Sequence, residues 1–494
     1  MNQNNISAAE LFLRVRELLI LPELEPKTRN KMMHDTLILC CHEGVKETKQ
    51  AFGNLFSQVD YLCKAHGIKV ADKIAIQTMR RHSNSQEPLS SEDLKYDARA
   101  LAIFISAVFG VDVPHELNVL IPHTNRPYQK GLEINNRRIR CIVKNWDSDF
   151  IRVDIDQDAD EEEYLVQLKD EENHIDHTYL WDILKEGMQL NLLDCQVKQP
   201  VITPRLIVVE PDYLVDISSI ATCFTAFGHH PLLYLLNQMK PRANTQATLL
   251  GNFAGAALDD IINTNGKYQM NETIKTNFRE KALEFCTCPW FDAKKFYTDA
   301  SLQAFNLQQV VDILFPRTAS QAQMSAFRGE SLYDRKKAIL EPSFVCEALG
   351  IQGRVDLMTT DCKLLVEQKS GRNMNIETHQ VDPGYHSYQL EPHYVQLLLY
   401  YGVLQHNFKL SNDRVNIRLL YSKYQPQDGL MVVAYYQKLF KEAIEYRNQL
   451  VAASFEIAKE GFEYALNEFT PDVLNVAGTQ DFFYNKYLKP QIEA

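Results

Sequence analysis

The sequence predicts an α/β protein of several domains, in which a mixed β-sheet flanked by helices follows a helical region and a small barrel-like β region. Three observations predict it. The 494 residues suffice for about two to four domains. Apolar residues recur three and four apart from the start to about residue 115, the period of a helix with one buried face. They alternate with polar residues in short runs from about 130 to 210, the period of half-buried strands, and beyond 216 the two patterns interleave. The expected division is a helical domain over 1–125, a β-rich, OB-like domain over 126–215 and a mixed α/β domain over 216–494.

Taken in order, helical spacing runs through Ala8–Ile20, Met32–Cys63 and Leu94–Val108, with Ser90 and Ser91 ahead of Glu92 and Asp93 as an N-cap for the last. Strand patterns follow at Arg138–Val143, Phe150–Asp154, Tyr164–Leu168, Leu190–Leu193 and Leu206–Val209, separated by turn-forming Asp and Asn. They suffice for a small barrel or half-open sheet, and an OB-like barrel is the expectation. Helical spacing returns from Ile217 to about Arg328. Strands bracket 338–370, a helix covers Pro392–Leu404, strands lie near Val415–Tyr424 and Leu430–Tyr436, and a long helix runs from Lys438 to about Leu466.

Composition narrows the function classes. Hydrophobic residues at 45% and charged residues at 23% exclude a collagenous or largely disordered chain. The longest apolar run, Ala100–Val111, is too short to span a bilayer, and the N-terminus has no secretory pattern, so a cytoplasmic protein is expected. Ten scattered cysteines without a CxxC pair make neither a disulfide framework nor a zinc ribbon. The net charge of −12 is local: Asp154 to Asp176 holds eleven acids against Lys169, which accounts for ten of the twelve charges. A basic groove elsewhere therefore stays compatible with the total. Asp154, Asp156 and Asp158 resemble the start of a calcium loop, but Ala159 and Leu165 stand where Gly and Glu are required. A solvated loop is the better account.

The chemistry concentrates between Gly353 and Gly371. Two apolar strands flank a turn at Thr359–Cys362, and a two-residue turn at Thr360–Asp361 would set Asp356 opposite Leu365. Since side chains repeat every two residues, Asp356, Glu367 and Lys369 then project to one face. Two carboxylates and an ammonium in one small volume are costly to bury unless they pair or bind a cation. Mg2+ or Mn2+ accounts for the set, with Asp356, Glu367 and the carbonyl of Gln368 as oxygen donors. An ordinary surface salt bridge is the alternative. Downstream, His393, Gln396 and Tyr400 follow Pro392 at positions i, i+3 and i+7 of one helical face.

The order Gly353-x-x-Asp356, Glu367-x-Lys369, then Gln396-x-x-x-Tyr400 resembles the PD-(D/E)XK nuclease superfamily, specifically its RecB-type branch of helicase-nucleases. The likeness covers about residues 216–470. It implies a restriction-endonuclease-like core, with Asp356 and Glu367 as metal ligands, Lys369 as the catalytic lysine, and Gln396 and Tyr400 as the branch motif that aligns the site. An upstream acid in that core corresponds to Glu341 or Glu347. Relatives often place a metal-binding His four residues after a helix-starting Gly; here Gly255 follows Gly251, and either Asp259 or Asp260 one turn on substitutes or the metal rests on fewer ligands. Cys223 matches the first of four iron-sulfur cysteines, but no cysteine follows Cys362, so no cluster is expected.

The function implied is metal-dependent hydrolysis of DNA, single-stranded or flapped, in replication, repair or defence. No GxxxxGK[ST] occurs, so no nucleotide site is expected. The expected setting is the nuclease part of a helicase-nuclease, with a superfamily 1 motor in cis or in trans and no membrane partner. The alternative is a non-catalytic nucleic-acid-binding or interaction module with a vestigial core. Arg354, Lys363, Arg372, Arg414, Arg418 and Lys423 are available to track phosphates and Tyr385, Tyr388 and Tyr394 to stack bases, surface solvation accounting for most of them equally well, and His386 is within reach of the scissile phosphate, with a solvated or cap-forming role the better account. His229 and His230, beside Pro231, read as solvated or cap-forming.

Overall fold

The computed structural model describes residues 6–21, 24–48, 55–84, 88–126, 138–155, 163–171, 175–225, 228–239, 244–264, 267–328, 330–380, 388–410, 414–433 and 435–461, with 463, 464, 467, 485 and 490. Residues 156–162 of the acidic segment, Tyr385 and His386 lie outside them. The chain forms a mixed α/β structure that divides into two compact units, Met1–Tyr213 and Leu214–Ala494. Among the described residues no helix is long and apolar enough to cross a membrane.

The first unit begins with helices. Ser7 and Glu10 form a capping box at Ala8–Ile20, and Ser90 and Asp93 form another at Ser91–Phe109, which stops where Gly110 turns left-handed. Leu11, Val15, Met33, Leu37, Leu101 and Ile105 meet in the core between them. Seven strands follow in an open order: Gln196–Lys198, Val201–Thr203, Tyr164–Gln167, Phe150–Ile155, Arg138–Trp146, Gln189–Leu193 and Leu206–Val209. The expected OB-like barrel is therefore corrected to an open sheet. Its two end strands are chemically unlike, Leu206–Val209 being buried throughout and Gln196–Lys198 half-buried or exposed, and they do not pair with each other.

In the second unit, elements are labelled in chain order: α1 (Gln246–Asn263), α2 (Ala293–Leu314), β1 (Ala338–Leu340), β2 (Ser343–Cys346), β3 (Ile351–Arg354), β4 (Leu357–Thr359), β5 (Leu364–Lys369), α3 (Glu391–Phe408), β6 (Asn416–Tyr421), β7 (Leu430–Val432) and α4 (Gln437–Glu460). A five-stranded sheet has the order β1-β4-β5-β6-β7, antiparallel except for the parallel pair β5–β6. That parallel pair needs a crossover, and α3 supplies it. A second sheet joins β2 and β3 to Val215–Asp216.

The hairpin made by β1–β2 and β3–β4 passes from one sheet to the other at Glu341–Pro342 and Val355–Asp356, where Glu341 N donates to Asp356 O at 2.9 Å and Val355 N to Pro342 O at 3.2 Å. Both strands bend together, which brings Glu341 and Asp356 to the same place. One face of the five-stranded sheet buries Leu357, Leu364, Val366 and Leu420 under Leu249, Phe253 and Leu258 of α1 and Phe296, Leu307 and Val311 of α2. The other face turns toward α3, which is buried from Tyr394 to Leu404 and so is apolar nearly all round.

Helix α3 passes close to α4 at Gly402, where a Cβ would collide with the Phe440 ring. Gly402→Ala is expected to destabilise the fold by about 1–3 kcal/mol through overpacking, read as a lower urea midpoint with an unchanged slope.

Candidate active site

The register of β4 on β5 pairs Leu357 with Val366 and Met358 with Leu365. Extended by one residue, it sets Asp356 opposite Glu367, not Leu365, so the expected two-residue turn is corrected to a wider one. Its bend is fixed by Cys362 at φ 54, by Thr359 Oγ1 donating to Asp361 Oδ1 at 2.8 Å, and by Leu364 N donating to Thr359 Oγ1 at 3.1 Å. A shift of two residues preserves the face each side chain occupies. The site expected on the wrong register therefore still assembles.

Asp356 Oδ2 accepts from Gln368 N at 2.6 Å. A strand residue turns its N–H and C=O to the same edge, so the Gln368 carbonyl opens toward Asp356, just beyond the end of β4. The Gln368 side chain faces the opposite way, donating to Ser422 Oγ at 2.7 Å, which in turn donates to Gln303 Oε1 on α2 at 2.7 Å. Gln303 Nε2 also donates to Ser370 O at 3.1 Å. This buried chain of amides and a hydroxyl pins the end of β5.

Glu367 is 3% exposed. Its Oε1 accepts from Lys369 Nζ at 2.8 Å and from Gln396 Nε2 at 2.6 Å, and Gln396 Oε1 accepts from the same ammonium at 2.8 Å. The carboxylate, ammonium and amide thus form a closed triangle between β5 and α3. Glu367 Oε2 is buried with no hydrogen-bond partner. Burial, and secondarily the Asp356 charge, push the Glu367 carboxyl up to about 8 against the pull of Lys369. Burial also raises Asp356.

Tyr400 Oη donates to Arg354 O at 2.5 Å, and its ring would be 3.0 Å from a Cβ on Gly353, a tight contact. The glycine of Gly353-x-x-Asp356 thus gives room to the tyrosine four residues after Gln396. His393, on the same face, meets Tyr421 Oη at 2.9 Å, and burial with the nearby Lys369 charge holds it down at about 4, so it is neutral.

Asp259 on α1 is pushed up to about 6 by burial and then by the charges of Glu341, Asp356 and Asp260, which places it beside the same acids. Glu341 pairs with Arg354 at 3.1 Å on the exposed side. Of the paired alternatives, Glu347 sits in the turn beyond β2, at the far end from the bend, and Asp260 is occupied by Thr273 Oγ1. Among the described residues, no group of three or more His, Cys, Asp or Glu stands in ready metal-ligand geometry. Cys223 is buried, its thiol directed at the carbonyls of Ser219 and Pro231.

The expected phosphate-tracking set needs correction. Arg418 is buried on β6 and ion-paired with Glu330 at 2.5 Å, and Tyr394 is buried in α3. Both were placed by residue type, and burial removes them. Arg372 and Lys423 share the carboxylate of Glu377 near the end of β5.

His229 is neither solvated nor a cap. Its Nδ1 and Nε2 lie 2.8 Å from Glu442 of α4 and Glu391 of α3, and Phe224 and Tyr446 pack on its ring. The two carboxylates outweigh burial and raise it to about 9. Since the folded value lies above the free one, the clamp stabilises fully below about pH 6.5 and is lost as pH rises through about 9. His229→Gln is expected to lower Tm at pH 7 and to flatten its decline between pH 7 and 10, as thermal melts across that range would show. Partners 162 and 213 residues away leave no local signal for this clamp.

No protein-family model matches the chain, and no curated protein matches it.

Proposed function

We propose that residues 214–494 are a divalent-cation-dependent nuclease of the PD-(D/E)XK superfamily, RecB-type branch, that hydrolyses phosphodiester bonds in single-stranded or flapped DNA and works with a superfamily 1 motor. The observation that carries the reading is the Glu367 carboxylate, one oxygen held by Lys369 and Gln396 and the other buried without a partner. The second oxygen therefore stays available to a cation beside Asp356, in a site where burying a carboxylate is costly.

Asp356, Glu367 and the Gln368 carbonyl, with Asp259 and Glu341 alongside, are an all-oxygen donor set of the kind Mg2+ and Mn2+ take. A bound cation there would polarise the phosphate and acidify its water. The rest of the chemistry belongs to this chain. Lys369 presents an ammonium that donates to the attacking water or to a non-bridging phosphate oxygen as negative charge develops there. Gln396 fixes that ammonium against Glu367, so no reorganisation is required as the water oxygen bonds to phosphorus and the bond to the leaving oxygen breaks. Tyr400, anchored on Arg354 O, sets the distance of α3 from β3. Neutral His393 adds no competing charge beside Lys369.

The test is cleavage of end-labelled single-stranded, flapped and duplex DNA with Mg2+ or Mn2+ and with EDTA. Cutting that needs the cation and disappears in Lys369→Ala supports the reading. DNA binding without cutting under any cation would replace it with a non-catalytic module.

A further inference from the structure

Trp290 is 98% exposed, and its backbone is left-handed at φ 57, a conformation that costs a bulky side chain energy. Its neighbours explain what holds it there. Cys288 is in the core, and Phe291 is locked edge-on against Phe278 and Phe285 and tilted on Phe296. The chain thus anchors both sides of the residue and presents the indole to solvent.

The indole stands at the rim of a groove of about 610 Å³ between α1, α2 and the segment after β5. Ser370 and Gly371, directly after Lys369, form its inner end, so the groove abuts the candidate active site. Its walls differ in chemistry. Arg372 and Lys423 lie on the Ser370 side, sharing one acid, Glu377. Trp290, Leu250 and Leu302 lie on the α1–α2 side together with Asp292, Lys295 and Asp299. Along α1, Ala247, Gly251, Gly255 and Asp259 recur every four residues and share one face. That face is exposed or half-exposed, is bare at Gly255, where a Cβ would meet nothing, is narrowed at Gly251, where a Cβ would come within 3.2 Å of Ser370 Oγ, and runs about 18 Å from Ala247 to the acid beside Asp356.

We infer that this groove binds a single polynucleotide strand, its bases turned to Trp290, Leu250 and Leu302 and its phosphates to Arg372 and Lys423, and leads it along α1 to Asp356 and Glu367. A single strand has one apolar and one anionic edge, as the groove does. A duplex keeps its bases inside and offers the indole nothing to stack on. The inference rests on the nuclease reading for the direction of the strand, but it is tested without catalysis.

The experiment is fluorescence anisotropy of a labelled thymidine oligonucleotide and of a labelled duplex, both in EDTA. Trp290→Ala is expected to weaken oligonucleotide binding about tenfold or more with little change for the duplex, while Trp290→Phe retains most of the affinity. Arg372→Ala should weaken binding and reduce the salt slope by about one. Oligonucleotide affinity unchanged in Trp290→Ala, equal losses for duplex and single strand, or no oligonucleotide binding by the unaltered protein would each overturn the inference. Cleavage intact alongside any of these would leave the nuclease reading standing; binding lost as expected in a protein that never cuts would overturn that reading alone.

Discussion

Lys369→Ala is expected to lower cation-dependent cleavage of single-stranded DNA by about 10²–10⁴-fold, the range spanned by losing one proton-transfer or charge-stabilising group, measured well below the melting temperature of a variant whose buried Glu367 has lost its ammonium. The ammonium touches Glu367 Oε1 and Gln396 Oε1 and is partly open to solvent, so its removal leaves space that water can enter. Gln396→Ala separates placement from chemistry. It frees the ammonium from one of its two partners without removing it, and a smaller loss is expected. Single-turnover cleavage with saturating substrate checks both variants. Full activity in Lys369→Ala would refute the assignment of the site.

The second large effect concerns Glu367. Its buried, unpartnered Oε2 and a carboxyl pushed up to about 8 mean that the cation-free site holds a group burial disfavours in its charged form. Glu367→Gln removes that charge at nearly constant volume. In EDTA the variant is expected to melt at or above the temperature of the unaltered protein. With Mn2+, the unaltered protein should gain stability in proportion to ligand excess over Kd, and the variant should gain none. The Mn2+ arm decides: if Glu367 and Lys369 were only a salt bridge, Mn2+ would raise the melting temperature of neither protein.

Much of the candidate site was legible because it depends on periodicity. Strand alternation places Asp356, Glu367 and Lys369 on one face whether Asp356 stands opposite Leu365 or, as the pairing of Leu357 with Val366 sets it, opposite Glu367, since an even shift cannot change a side chain's face. Helical spacing likewise places His393, Gln396 and Tyr400 on one stripe. The barrel was misread because alternation reports that strands have two faces, not whether their end strands meet. Arg418 was misread because a basic residue on a strand carries no mark of which face is solvated.

The sequence by itself determined the coarse succession of helical and strand regions, the cap at Ser90, the two-sided alternation of β5 and the face shared by Gln396 and Tyr400. Each is set by residues within about one or two turns of one another, where local sterics and hydrogen bonds decide. Only the tertiary structure decided which of Glu341 and Glu347 joins Asp356, that Asp259 and not Asp260 faces them, that His229 closes on Glu391 and Glu442, and that Trp290 stands over the groove beyond Ser370. Those are pairings across tens to hundreds of residues, fixed by how a bent hairpin, a crossover helix and two packed helices fill a common volume, and close packing has no period along the chain.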